Sequence, residues 1–117
     1  EGFIIHEVSI AENVLRIVEN AARKNSLERV ARVVLEIGQF SGVEPELLRF
    51  AFTVIKKGTV LEQAEVEMQI PPLLLYCREC ETEYLGEIDE LRCPACLKEK
   101  FKVLRGREML VRSIVGG

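Results

Sequence analysis

The spacing of hydrophobic and polar positions changes several times along the chain, and each change marks an element. Val14, Ile17, Val18, Ala21 and Ala22 recur at helical spacing, with Glu12, Arg16, Glu19 and Arg23 on other faces. Ser9 stands three residues before Glu12, the arrangement of a capping box, in which hydroxyl and carboxylate each take an amide that a helix start leaves unpaired. This predicts a helix from about Ala11 to Lys24, with a short strand over Glu1-Gly2-Phe3-Ile4-Ile5 running into His6. From Arg29 to Ile37 the period becomes two: Val33, Leu35 and Ile37 on one side, Arg32, Val34 and Glu36 on the other. That alternation, rich in β-branched residues, predicts a strand.

After Gly38 and Ser41-Gly42, Pro45 occupies a first helical position between Glu44 and Glu46, where both acids suit the positive end of a helix dipole. Leu48, Ala51, Phe52 and Ile55 form the stripe expected to be buried, Leu47, Phe50 and Val54 are expected to widen it, and Lys56-Lys57-Gly58 ends the helix. Ala64, Val66, Met68 and Ile70 then alternate with Glu65, Glu67 and Gln69, a half-buried strand stopped by Pro71-Pro72. Near the end, Met109 and Val111 oppose Leu110, Arg112 and Ile114. A strand apolar on parts of both faces is expected to return to the first sheet.

These periods predict an α+β protein: a small α/β domain of two helices on a mixed sheet, residues 1–72 plus 106–117, with residues 73–105 inserted as a separate lobe. No internal repeat or low-complexity run interrupts it. The inserted segment, with Leu75, Tyr76, Tyr84, Leu85, Ile88, Leu91, Phe101 and Val103, has too few apolar residues for a core of its own. It also falls below the roughly 40 residues at which a domain usually folds unaided.

Its cysteines supply the missing stability. Cys77-Arg78-Glu79-Cys80 and Cys93-Pro94-Ala95-Cys96 are two Cys-x-x-Cys pairs and hold all four cysteines of the chain. Each pair can wrap a tight turn, so that a hairpin brings four sulfurs to one ion in the tetrahedral arrangement of a structural zinc site. Such a site is worth about 10–16 kcal/mol, comparable with the whole stability of an ordinary domain. A pair of disulfides is the alternative, but the chain has no apolar signal segment at its start and is not the disulfide-dense secreted type, which makes it a cytoplasmic protein by expectation. Ligand type alone leaves iron open, as in a rubredoxin-like electron carrier.

Charge narrows the function classes. The formal net charge is −3, and four thiolates with one zinc(II) make it more negative still. This disfavours nucleic acid, which is bound by neutralising phosphates with Lys and Arg. An acidic zinc-ribbon adaptor in transcription or translation is therefore the weaker reading. Lys98, Lys100, Lys102, Arg105 and Arg107 are interrupted by Glu99 and Glu108, the mark of a solvated mixed face. Glu79, Glu81, Glu83, Glu87, Asp89 and Glu90 give the inserted lobe an acidic surface suited to a basic partner. No run approaches the roughly 20 apolar residues of a membrane span. No Ser/His/Asp set, phosphate loop or acid pair points to catalysis.

The order His6-Glu7, helix, Ile37-Gly38, Ser41-Gly42-Val43-Glu44-Pro45-Glu46, Phe50-Ala51-Phe52, Gly58-Thr59 and the double Cys-x-x-Cys resembles the HypA/HybF family of nickel metallochaperones, which serve hydrogenase maturation. The resemblance covers His6 to Val115. It implies that nickel(II) is held near the start of the chain by the His6 imidazole and backbone nitrogens, with Glu7 matching the family's Glu and Glu44 in a supporting role. Nitrogen donors of this kind favour square-planar nickel. Ile5 stands where the family has its initiator Met, and Val8 where an aromatic is common, so a site lacking the terminal amine is expected to bind nickel more weakly or through different donors. The implied partners are the nickel-handling GTPase of the pathway and the hydrogenase large subunit, with urease maturation in some organisms. The expected state is a monomer, or a dimer whose lobes exchange across Pro71-Pro72.

Overall fold

The computed structural model describes the backbone from Phe3 to Gly117, with side chains from His6 onward. The chain runs α1 (Phe3–Lys24), β1 (Val30–Ile37), α2 (Pro45–Ile55), β2 (Glu65–Gln69), β3 (Leu73–Cys77), β4 (Thr82–Gly86), β5 (Phe101–Arg105) and β6 (Met109–Gly116). The strands form two sheets of three, ordered β2-β1-β6 and β4-β3-β5. Two compact units result.

The first unit holds α1, β1 as far as Glu36, Glu44–Gln69 and Leu110–Gly117. β1 and β2 are parallel, with Val33 opposite Val66 and Leu35 opposite Met68, and α2 provides the crossover that parallel neighbours require. β6 lies on the other side of β1. The Gly117 amide donates to the Arg29 carbonyl at 3.2 Å while the Arg112 guanidinium reaches Glu36 at 2.9 Å, so β6 runs antiparallel and the sheet is mixed. The last strand does return to the first sheet.

Helix α1 begins earlier than the capping box suggests. Phe3 to His6 are helical, not a strand, and Ser9 lies inside the helix with its side chain exposed; Glu1 and Gly2 lie outside the described residues. The physical reason is Glu7. The buried stripe of α1 is Glu7, Ala11, Val14, Val18 and Ala22, at intervals of four, three, four and four, and Glu7 is 0% exposed. A carboxyl group at the first position of that stripe hides the apolar period from a sequence reading. The other end is closed by a Schellman arrangement: the Leu27 amide donates to the Ala22 carbonyl at 2.8 Å and the Ser26 amide to the Arg23 carbonyl at 3.3 Å, with Ser26 at φ 56°.

In α2, Leu48, Ala51 and Phe52 are buried as expected, but Phe50 and Val54 are 54% and 58% exposed. At 100° per residue, positions two and six beyond Leu48 fall on the opposite side of the helix, so they cannot widen the stripe.

The second unit holds Ile37–Val43 and Ile70–Met109. β3 is its centre, antiparallel to β4 on one side and β5 on the other. Leu73, Leu75 and Cys77 alternate inward and meet Tyr84 and Cys93, with Leu91, Phe101 and Val103 packed around them. Leu85 and Ile88 stay exposed. Phe40 also packs on this cluster, so a core too small to stand on the inserted segment alone borrows an aromatic ring from Ile37–Val43. Gln39 anchors the same stretch: its Nε2 donates to the Pro71 carbonyl and to Glu87 Oε1, both at 3.0 Å, and its Oε1 accepts the Ile88 amide at 2.7 Å.

Backbone contact completes the anchor. The Gly38 amide donates to the Glu108 carbonyl at 3.0 Å and the Phe40 amide to the Gly106 carbonyl at 2.7 Å. A Cβ at Gly38 would lie 2.3 Å from the Gly106 carbonyl oxygen, so the approach requires glycine. Gly38→Ala is expected to cost about 2–3 kcal/mol, read as a lower urea midpoint. A loss under about 0.5 kcal/mol, the size of an ordinary surface substitution, would show that the approach is not tight.

Candidate metal centre

Two turns of the same design carry the cysteines. Cys77 ends β3, and the chain turns through Arg78-Glu79-Cys80 into β4, with the Cys80 amide donating to Cys77 Sγ at 3.3 Å and the Glu81 amide to the Cys77 carbonyl at 2.8 Å. In the second turn, the Leu97 amide donates to the Cys93 carbonyl at 2.7 Å. The residue after each pair, Glu81 at φ 58° and Leu97 at φ 64°, adopts the left-handed conformation that usually calls for glycine. Without glycine there, this third feature of the motif could not be read from the sequence.

The sheet joins the two turns. Cys77 pairs with Phe101 across β3 and β5, and the Arg78 amide donates to the Lys100 carbonyl at 2.8 Å. Glu79, in the first turn, is 3.7 Å from Lys98 and 3.3 Å from Lys100, just beyond the second. The Lys100 ammonium, with Lys98 behind it, holds the Glu79 carboxyl below its usual range. These pairs are exposed and contribute little individually. Inside, Tyr84 donates its hydroxyl to the Leu91 carbonyl at 2.6 Å, and burial first, then the nearby sulfurs, push its phenol above the usual value.

All four sulfurs lie within 4.8 Å of one another, with Cys77 to Cys96 at 3.7 Å and Cys80 to Cys93 at 3.9 Å. A tetrahedral ion with metal–sulfur bonds of about 2.3 Å needs sulfurs about 3.8 Å apart. The set fits such an ion. Backbone amides of Cys96 and Ala95 lower the Cys93 thiol to about 7, whereas contact with the Cys96 sulfur, burial and the other two sulfurs push Cys80 up to about 12. One thiolate is thus available near neutral pH. Cys80 holds its proton until a cation takes its place, which ties metal retention to pH.

The remaining residues singled out by sequence lie in the first unit. His6 is exposed on α1 and Glu7, beside it, points inward. Glu7 Oε2 accepts the amide of Glu44, the residue that precedes α2, at 3.0 Å. Glu44 makes no side-chain cap of its own; the carboxyl of Glu7, from a neighbouring helix, instead takes the backbone amide of this N-cap residue. Glu7 Oε1 is buried without a hydrogen-bond partner among the described residues. Glu7 and Glu44 therefore meet through a side chain and a backbone amide, and not as two converging carboxylates.

Comparison with known proteins gives this arrangement its context. The family model described as "Hydrogenase/urease nickel incorporation, metallochaperone, hypA" matches residues 5–116. The chain belongs to the HypA family. It is 39% identical over 110 residues to the hydrogenase maturation factor HypA of Aquifex aeolicus, covering 94% of this chain and 96% of that protein. It is 40% identical over 111 residues to that of Albidiferax ferrireducens, covering 94% and 97%. The solution structure of the Ni metallochaperone HypA from Helicobacter pylori shares the fold, with a TM-score of 0.67 at 24% identity, covering 94% of this chain and 96% of the other. As a HypA-family chain it is a maturation factor of the nickel metallochaperone class and not an enzyme.

Chelation of the ion is expected to expose the backbone of β3, β4 and β5 to hydrogen exchange while α1 and α2 keep their helical circular dichroism; concerted melting of everything would contradict a metal that supports one unit. Lowering the pH below about 7 should release the ion more readily, since protons then compete for Cys93 as well as for Cys80. Glu81→Gly should raise metal-bound stability by about 0.5–1 kcal/mol, because it relieves a left-handed backbone that costs a side chain about that much. Equal or lower stability in thermal unfolding would refute the strain.

Proposed function

We propose that the chain takes up nickel(II) and delivers it during maturation of [NiFe]-hydrogenase, and of urease in organisms that make one, while a zinc ion stays in the four-sulfur site. The observation that carries this reading is the match over residues 5–116, which includes His6, Glu7, Glu44 and both cysteine pairs in a family described by nickel incorporation. Four thiolates closed around one point suit zinc(II), which has no open position there and serves to shape the unit. Nickel needs the opposite: an accessible, exchangeable set of nitrogens.

His6 meets that need. It is the only histidine of the chain and its side chain is exposed, so an ion bound there can be handed on. Backbone nitrogens around His6 and Glu7 complete the donor set, and the Glu7 carboxyl fixes their position by holding the Glu44 amide. The partners are the nickel-handling GTPase of the pathway and the hydrogenase large subunit, met in the cytoplasm. No described helix is long and apolar enough to cross a membrane. The negative net charge argues against nucleic acid as a partner.

Metal content by mass spectrometry, before and after incubation with nickel, tests the assignment. The purified chain should carry one zinc, and nickel in addition after incubation. His6→Ala should keep the zinc and lose the nickel; Glu7→Gln, which preserves an acceptor for the Glu44 amide, should keep both; Glu7→Ala should bind nickel more weakly and unfold about 1–3 kcal/mol more easily, because a part-buried amide loses its acceptor and the enclosed Glu7 side chain leaves a void. Full nickel uptake by His6→Ala, or absence of zinc at the thiolates, overturns the reading.

A further inference from the structure

The outer edge of the second unit carries features that neither ion uses. β4 pairs with β3 on one side only and forms an edge of its sheet. Along it Tyr84 and Gly86 are buried whereas Glu83 and Leu85 point outward. Beside this strand lies a groove of about 360 Å³ whose apolar lining is Pro72, Leu85, Pro94 and Leu97 and whose charged lining is Glu87, Glu90 and Arg92, with Cys93 of the sulfur cluster also reaching it. Leu85 and Leu97 are 67% and 64% exposed. Two leucines left this open at one groove, in a unit short of core material, are not explained by stability. Adjacent apolar surface with a polar rim marks an interaction site.

The charges around the groove define its occupant. Arg92, the cation among the residues lining the groove, is committed to Glu90 by two guanidinium hydrogen bonds, at 3.0 and 3.1 Å, while Lys98 and Lys100, outside the lining, share the carboxylate of Glu79. Glu81, Glu83, Glu87 and Asp89, which surround the β4 edge in sequence, have no ion pair with Lys or Arg among the described residues. Glu83 shares the outward face of β4 with Leu85, and Glu87, which has no ion pair among the described residues, lines the groove, so the apolar centre has uncompensated carboxylates beside it. We infer that this face binds an extended segment of a partner protein in which an apolar side chain is flanked by lysines or arginines. The segment lies along β4, its apolar side chain enters between Leu85 and Leu97, and its cations meet Glu83 and Asp89. An unpaired edge strand supplies backbone hydrogen bonds, and the groove and acids supply selectivity. Anionic lipid and nucleic acid carry the wrong charge for these carboxylates. The inference does not depend on where nickel binds.

A random dodecamer peptide library on phage, selected against the metal-replete protein, tests this without assuming a sequence. Selected peptides should share an apolar residue flanked by Lys or Arg and bind more weakly as salt is raised. The variant Leu85→Thr/Leu97→Asn keeps a strand former and a residue tolerant of left-handed backbone, and should lose binding about tenfold or more. Glu83→Lys/Asp89→Lys should lose a similar factor while leaving Leu85 and Leu97 in place. Unchanged metal content and circular dichroism in both variants show that the fold is intact. Selection of acidic peptides, failure to select any recurrent pattern, or equal binding by either variant overturns the inference.

Discussion

Four thiol groups within 4.8 Å of one another are a chemical liability unless something positive sits among them, and the second unit is built on that condition. Its apolar cluster has only a handful of fully buried side chains, and the sheet of three short strands offers edges on both sides. Hydrophobic burial at this scale does not offset the entropy of ordering the chain. An ion drawing all four sulfurs together closes two turns at once, and each turn then fixes the strand beside it. The convergence of Cys77, Cys80, Cys93 and Cys96 thus stands where a larger core would, with Leu73, Leu75 and Tyr84 packed against it.

The same scarcity of core explains the participation of Ile37–Val43. Phe40 adds an aromatic ring to the cluster, and Gln39 places both hydrogens of its amide nitrogen and its amide oxygen on partners in the same unit. Both residues are remote in sequence from the cysteines. Glycine at position 38 permits the backbone approach that sets them in place. A loop that reads as a plain connection between a strand and a helix serves as part of another unit's core.

The local parts of this structure were legible wherever a residue's role is set by near neighbours in sequence. Both Cys-x-x-Cys turns, the two-residue period of β1, Pro45 at the start of α2 and the stop at Pro71-Pro72 depend on spacing and backbone chemistry. The return of β6 to the first sheet was legible because Leu110, Arg112 and Ile114 stand opposite Met109 and Val111. What escaped depends on distant partners. Phe40 and Gln39 carry no periodic signal, and Glu81 and Leu97 hold a conformation that glycine would have announced. Ser9 and Glu12 offered a helix start that the fold does not use, because the stripe continues one turn further through a residue whose type argues against burial.

That residue, Glu7, explains how the beginning of the chain is organised. A leucine there would extend the apolar stripe and read as core, yet it could not serve the amide at the front of α2. Pro45 donates nothing at the next position and Glu44 does not cap with its own side chain. The part-buried amide of Glu44 takes its acceptor from α1, at a point where Glu7 is fully enclosed. The consequence reaches the neighbouring position. With Glu7 turned inward, the helix places His6 outward, so one hydrogen bond to a buried carboxyl both secures α2 and presents the only imidazole of the chain to solvent.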